Sequence, residues 1–271
     1  MALLASKLTF TSEQLRNWVR KSVTRMWRLS MNSVLYWNSV LLEVSRRDFT
    51  RGFVNSQNPG PIGTSRAMAM VHLAIRDALA LPVAPAKAYL PAAGHTFPSL
   101  PAAGPARSAY LDDVVGGAAS ALLVALYPGS QQYIEESTSF VNLQAFQAGQ
   151  TIGNAMLASR DTDGAFKDSS GNPVEVASAQ NKMLGYGDHR ADPFDSGQPR
   201  LGVHWGNVDH FAAAGRVALA PFPGHATAAP FLNNPHYRAD YEEVKDKGSG
   251  GATTRTPAEH LIGVYWGYGC P

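Results

Sequence analysis

A chain of 271 residues with 45% apolar and 10% aromatic side chains has the apolar surface for one large or two small packed domains, which excludes a disordered polypeptide. Its 23 Lys and Arg against 21 Asp and Glu leave a formal charge of +2, too even for a nucleic-acid footprint. The single cysteine, Cys270, permits neither an internal disulfide nor a cysteine-rich metal site.

The charge is unevenly placed. Lys7, Arg16, Arg20, Lys21, Arg25 and Arg28 against Glu13 alone give residues 1–30 a net +5, leaving −3 for the rest. This basic leader reads either as an amphipathic first helix using Leu15, Val19 and Met26, or as a targeting or surface-lying segment, so no compartment follows from it.

From Met31 to Phe49, Val34, Trp37, Leu41 and Val44 recur at helical spacing and predict a helix with one apolar stripe. After Asn58-Pro59-Gly60-Pro61, a second helix is expected with Thr64 as N-cap, Met68, Val71, Ile75 and Ala78 inward, and an end before Pro82. Residues 82–106, rich in Pro and Ala, read as a connector. A third helix is predicted from about Ser108 to Tyr127, with Leu111, Val115, Ala118 and Leu122 aligned and Pro128-Gly129 as its stop.

A fourth helix is expected from near Ser130. Ile134, Thr138, Val141, Ala145, Ala148, Ile152 and Ala155 alternate steps of four and three, the seam of a helix lying along a neighbour, with small residues at 145, 148 and 155 permitting close approach. The uncharged run Ser137 to Ser159 is long enough to span a bilayer, but Asn142, Gln144, Gln147, Gln150 and Asn154 argue against it, so no membrane span is expected.

From Asp161 to about His236 the pattern gives way to Gly, Pro, Asp and Asn, which reads as a segment wrapping a surface or lining a site. Thr256-Pro257-Ala258-Glu259 then forms a full capping box, so a last helix carrying Leu261, Ile262, Tyr265 and Trp266 should start there. The expected organisation is a leader over 1–30, a helical bundle over 31–160, a turn-rich segment over 161–255 and a capped helix over 256–271 that breaks off early. The fold class is all-α.

Asp188, His189, Asp192, Asp195, His204, Asp209 and His210 gather metal-friendly side chains, yet no tight ligand spacing accompanies them and turn chemistry explains the aspartates. Asp161-Thr162-Asp163-Gly164 lacks the remaining carboxylates of a calcium loop and reads as the end of the fourth helix. Neither a Gly-x-Ser-x-Gly elbow nor a Walker or dinucleotide-type glycine loop occurs. Pro223-Gly224-His225 and the set Ser65, Arg66 and His72 offer donors for an oxyanion, with an exposed turn and an ordinary helix start as the plainer readings.

Trp37-Asn38-Ser39-Val40-Leu41-Leu42-Glu43 and the run from Ser65 to Ala78, followed by Asn234-Pro235-His236-Tyr237, Glu242 to Lys245, Arg255 to His260 and Tyr265-Trp266-Gly267-Tyr268, resemble in order the vanadium-dependent haloperoxidases, relatives of the type 2 phosphatidic acid phosphatases. The resemblance implies two helical bundles, of which this chain is the amino-terminal half. In that family vanadate is gripped by a Lys with Arg-Pro, a Pro-Ser-Gly-His segment and a later Arg and His, and peroxide and halide give hypohalous acid. No Arg-Pro dipeptide occurs here, His225 lacks the preceding Ser, and Arg66 and His72 fall in the wrong order. Accordingly no catalytic, cofactor-binding or metal residue is assigned, and no vanadate is expected on this chain alone. The expected partner is the carboxy-terminal catalytic half or a second copy. Gly269 also stands where the family often has an Asp beside its Trp-x-Tyr.

Overall fold

The computed structural model describes residues 32–50, 52, 57–58, 60–91, 94–174, 177–178, 200–202, 204–211, 233–248, 251 and 254–266. The basic leader lies outside them. The described residues fall into two compact units, the first reaching to residue 180 and resuming over 191–211, the second made of 181–190 and everything from 212 onward.

In the first unit, α1 (Ser33–Phe49), α2 (Gly60–Ala80), α3 (Gly104–Leu126), α4 (Gln131–Ser137) and α5 (Leu143–Ser159) form a bundle around α3. The α3 helix packs most extensively on α5, then on α2, and also touches α1 and α4. By length and composition α3 could cross a bilayer, but most of it is buried within the unit. The predicted inward residues Trp37, Leu41, Val44, Val71, Ile75, Ala78, Val115, Ala118, Leu122, Ile134 and Ile152 all enter one core. The fold is thus the all-α bundle that the periodicities require.

The α2 helix begins four residues before Thr64, with Pro61 in its first turn, where a missing N–H costs nothing. Thr64 is therefore inside the helix rather than its cap, and its hydroxyl lies 3.4 Å from the Asn58 carbonyl.

The expected fourth helix is two helices. The chain breaks over 138–142, and Val141, placed on the seam by its spacing, is 89% exposed. The reason is Asp113 of α3, buried, whose Oδ2 accepts the backbone N–H groups of Val141 at 3.0 Å and Asn142 at 2.7 Å. Asn142 then caps α5 by accepting the Ala145 N–H at 3.0 Å. Two further buried aspartates do the same for other connections. Asp48 of α1 holds the amides of Gln57 and Asn58, and Asp77 of α2 holds those of Tyr89 and Leu90. Each gathers two loop N–H donors on one buried carboxylate.

The seam of α5 is occupied by α3 of the same unit. A Cβ added at Gly117 would stand 1.9 Å from the Phe146 carbonyl oxygen, and one at Gly149 would stand 2.0 Å from that of Val114. Gly153 meets the Ala118 carbonyl similarly at 2.6 Å. Close approach therefore runs through these glycines, with Ala145 and Ala148 beside them in the buried face.

After α5 come an isolated bridge between Lys167 and Pro173 and the two-residue antiparallel pair of β1 (Ala177–Ser178) and β2 (Arg200–Leu201). In the second unit, α6 (Pro235–Gly248) lies inside the stretch read as turn-rich. Its one short apolar row, Tyr237, Tyr241 and Val244, buries no residue. It is supported instead by Asn234, which accepts the His236 N–H at 2.9 Å, and by the Glu242–Lys245 and Glu243–Lys247 ion pairs. The last helix, α7 (Pro257–Trp266), starts at the expected box: Thr256 N–H donates to Glu259 Oε2 at 2.8 Å and Glu259 N–H to the Thr256 hydroxyl at 3.2 Å.

Candidate functional site

Buried charge in the first unit gathers where α2 meets the end of α5. Arg66, in the second turn of α2, is 7% exposed and turns inward. Its Nε donates to Asp163 Oδ2 at 2.8 Å and its Nη2 to Asp163 Oδ1 at 3.1 Å, a bidentate pair. The same Nη2 donates to the Arg160 carbonyl at 2.6 Å. Arg160, just past the end of α5, brings its Nε to 3.0 Å from Asp163 Oδ2, so one carboxylate serves two guanidiniums. Phe211 stacks on Arg160 at 3.9 Å, and the Phe166 ring lies 5.5 Å from the Arg66 guanidinium.

Local conformation puts Asp163 there. Gly164 follows at φ +88°, a turn that side chains resist, and a Cβ on it would press the Asn207 carbonyl at 3.1 Å. The segment 204–211 then lies against this turn. Asp209 N–H donates to the Asp163 carbonyl at 2.8 Å, Arg160 Nη2 to the Asp209 carbonyl at 2.5 Å, and His204 Nε2 sits 2.9 Å from the Ala165 carbonyl. A carbonyl only accepts, so Nε2 of His204 carries the proton in this arrangement.

The residues singled out as oxyanion donors are not brought together. Arg66 is committed to Asp163, whereas His72 is exposed, with Nε2 3.1 Å from Asn38 Oδ1. Ser65 donates its hydroxyl to the Ile62 carbonyl. His225, Asp188, His189, Asp192, Asp195 and Gly269 lie outside the described residues. Of the suspected cluster, His204 is half-buried on Ala165, while Asp209 and His210 are exposed; among the described residues no three His, Cys, Asp or Glu groups converge as metal ligands. Asp161 pairs with Lys167 at 2.7 Å, in keeping with a helix end rather than a calcium loop.

The Arg66, Asp163 and Arg160 cluster was invisible to motif reading because its members stand 97 and 3 residues apart. The signal available was the pair of acids in Asp161-Thr162-Asp163-Gly164, of which only the one before the glycine is buried. Chemically the cluster is a tie. It holds no nucleophile, and an approaching anion would meet a carboxylate at its centre.

Residues 23–148 match the family described as the vanadium chloroperoxidase N-terminal domain. That span takes in all of α1 to α4 and the first turns of α5. No curated protein and no solved structure matches the chain significantly. Over residues 23–148, therefore, this chain is similar to the vanadium chloroperoxidase N-terminal domain, and the described residues of that span form an all-α bundle.

Proposed function

We propose that this chain serves as the amino-terminal scaffold of a vanadium haloperoxidase-like protein and oxidises no halide by itself. Full-length members of the family use vanadate; the residues present here do not fit that group. A multiply charged oxyanion requires several converging donors free of competing acids. The observation carrying the reading is the engagement of Arg66, the one arginine whose motif setting suggested an anion site, by Asp163 at 2.8 Å and by a backbone carbonyl. Neither the Lys with Arg-Pro nor the Pro-Ser-Gly-His segment of the family lies within these residues.

The experiment adds orthovanadate, bromide and peroxide to the purified chain with an organic halogen acceptor. The expected result is no halogenation above that of vanadate in buffer. Protein-dependent halogenation overturns the reading.

A second reading, a non-catalytic module that associates through helix faces, is favoured by the exposed Leu261, Ile262, Val264 and Tyr265 of α7. Light scattering separates the two: a stable homo-oligomer supports self-association, and a well-folded monomer supports the scaffold that awaits a separate catalytic half.

A further inference from the structure

A groove of about 490 Å³ runs along the outer face of α2 and the turn that follows, in the first unit and away from the Arg66 cluster. Its lining residues from α2 onward, 72, 75, 76, 79, 80, 83, 84 and 87, follow helical spacing, and Val34 of α1 closes one side. The floor is apolar: Val34, Ile75, Leu79 and Val83, the last 48% exposed. The rim is cationic or neutral, made by His72, Arg76 and Lys87, and no acidic residue lines it.

Arg76 is held in place by one of its own donors, Nη2, on the Lys87 carbonyl at 2.5 Å. Among the described residues neither Arg76 nor Lys87 has a carboxylate partner. Most of the other described lysines and arginines do: Arg66 and Arg160 share Asp163, Arg46 and Arg47 share Glu43, Lys167 has Asp161, Lys245 has Glu242 and Lys247 has Glu243 and Glu259. Unpaired positive charge therefore stands beside an exposed apolar trough, on a guanidinium already oriented.

We infer that this groove binds a free single-chain carboxylate, its alkyl chain on Ile75, Leu79, Val83 and Val34 and its carboxylate on Arg76 and Lys87. Volume and lining suit a small ligand, being mostly apolar with a few convergent polar groups. Charge decides against the chain's own leader as occupant, because residues 1–30 carry a net positive charge, the same sign as the rim.

The test titrates the full chain with sodium decanoate below its micelle concentration, by calorimetry and by methyl NMR. Expected are saturable one-site binding, first shifts at the methyls of Ile75, Leu79 and Val83, and decyltrimethylammonium weaker by about tenfold or more, the scale of a charge-assisted hydrogen bond. The double variant R76Q/K87Q should lose about the same factor, with V83D as a second, independent disruption of the floor. Equal binding of the two headgroups overturns the proposal, as does undiminished binding by R76Q/K87Q or first shifts at Leu261 and Ile262. Capture on phosphatidylcholine vesicles containing phosphatidylglycerol, without decanoate binding, also overturns it by assigning the charge to a lipid surface.

Discussion

Arg66 Nε lies 2.8 Å from Asp163 Oδ2 across 97 residues of sequence, and both side chains are almost fully buried. A buried pair of this kind costs most when one member is removed and its partner remains. Asp163→Ala leaves two guanidiniums, Arg66 and Arg160, facing each other, so a loss of about 3–5 kcal/mol is expected. Arg66→Met should cost less, since Arg160 still neutralises Asp163 at 3.0 Å. Denaturant unfolding of the two variants checks the order; an equal or reversed loss rejects the shared-carboxylate account.

Glycine substitutions should divide by position. In an ordinary helix interior Gly→Ala stabilises by about 1 kcal/mol. At Gly263 of α7, where an added Cβ meets nothing within 4 Å, that gain is expected as higher helicity by circular dichroism. At Gly149 the new methyl would sit 2.0 Å from the Val114 carbonyl oxygen, forcing α3 and α5 apart, and Gly149→Ala should destabilise by at least about 1–3 kcal/mol. Thermal melts of both variants, moving in opposite directions, are the measurement.

Asp77→Asn keeps the shape but turns one acceptor into a donor opposite the N–H of Tyr89 or Leu90. Stranding one buried amide costs about 1–3 kcal/mol. Amide exchange should accelerate first at residues 89 and 90; protection unchanged there would show that Asp77 does not hold the loop.

Two carboxylates are held far below their ordinary value of 4.5. Glu43 is pulled to about 2, chiefly by hydrogen bonds from Arg46, with Arg47 helping against some desolvation. Glu259 is pulled to about 2, chiefly by Lys247, then by the Thr256 amide and hydroxyl. A depressed folded value stabilises the charged form, so these contributions are complete above about pH 4.5 and fade as pH falls toward 2. Carboxyl NMR should place the Glu259 midpoint near 2 at low salt, rising in 1 M salt because the pair is exposed. A midpoint near 4.5 under both conditions would remove the α6–α7 ion pair from the solution structure.

What the sequence makes legible is what neighbours in sequence decide. The stripe of Trp37, Leu41 and Val44 and the Thr256 to Glu259 box are local patterns, and both are in place. The break at 138–142 was hidden because its cause, Asp113, sits 28 and 29 residues upstream and reads as one more polar position on a helix. The α6 helix escaped because its apolar row is only three residues long and ion pairs between charged residues support it. Arg66 illustrates the limit most plainly: beside Ser65 and ahead of His72 it looks like an anion donor, and only the distant Asp163 decides otherwise.

The pairing of Ala177 with Leu201 and Ser178 with Arg200 sets residues 178 and 200 side by side, so the two anchors of the connection between them are fixed next to each other. Lengthening a connection whose ends are already joined is entropically cheap, about 0.6 kcal/mol for each doubling. These paired anchors are accordingly where the protein can accept inserted sequence, a reporter peptide or a whole guest domain, while the helical framework keeps its register.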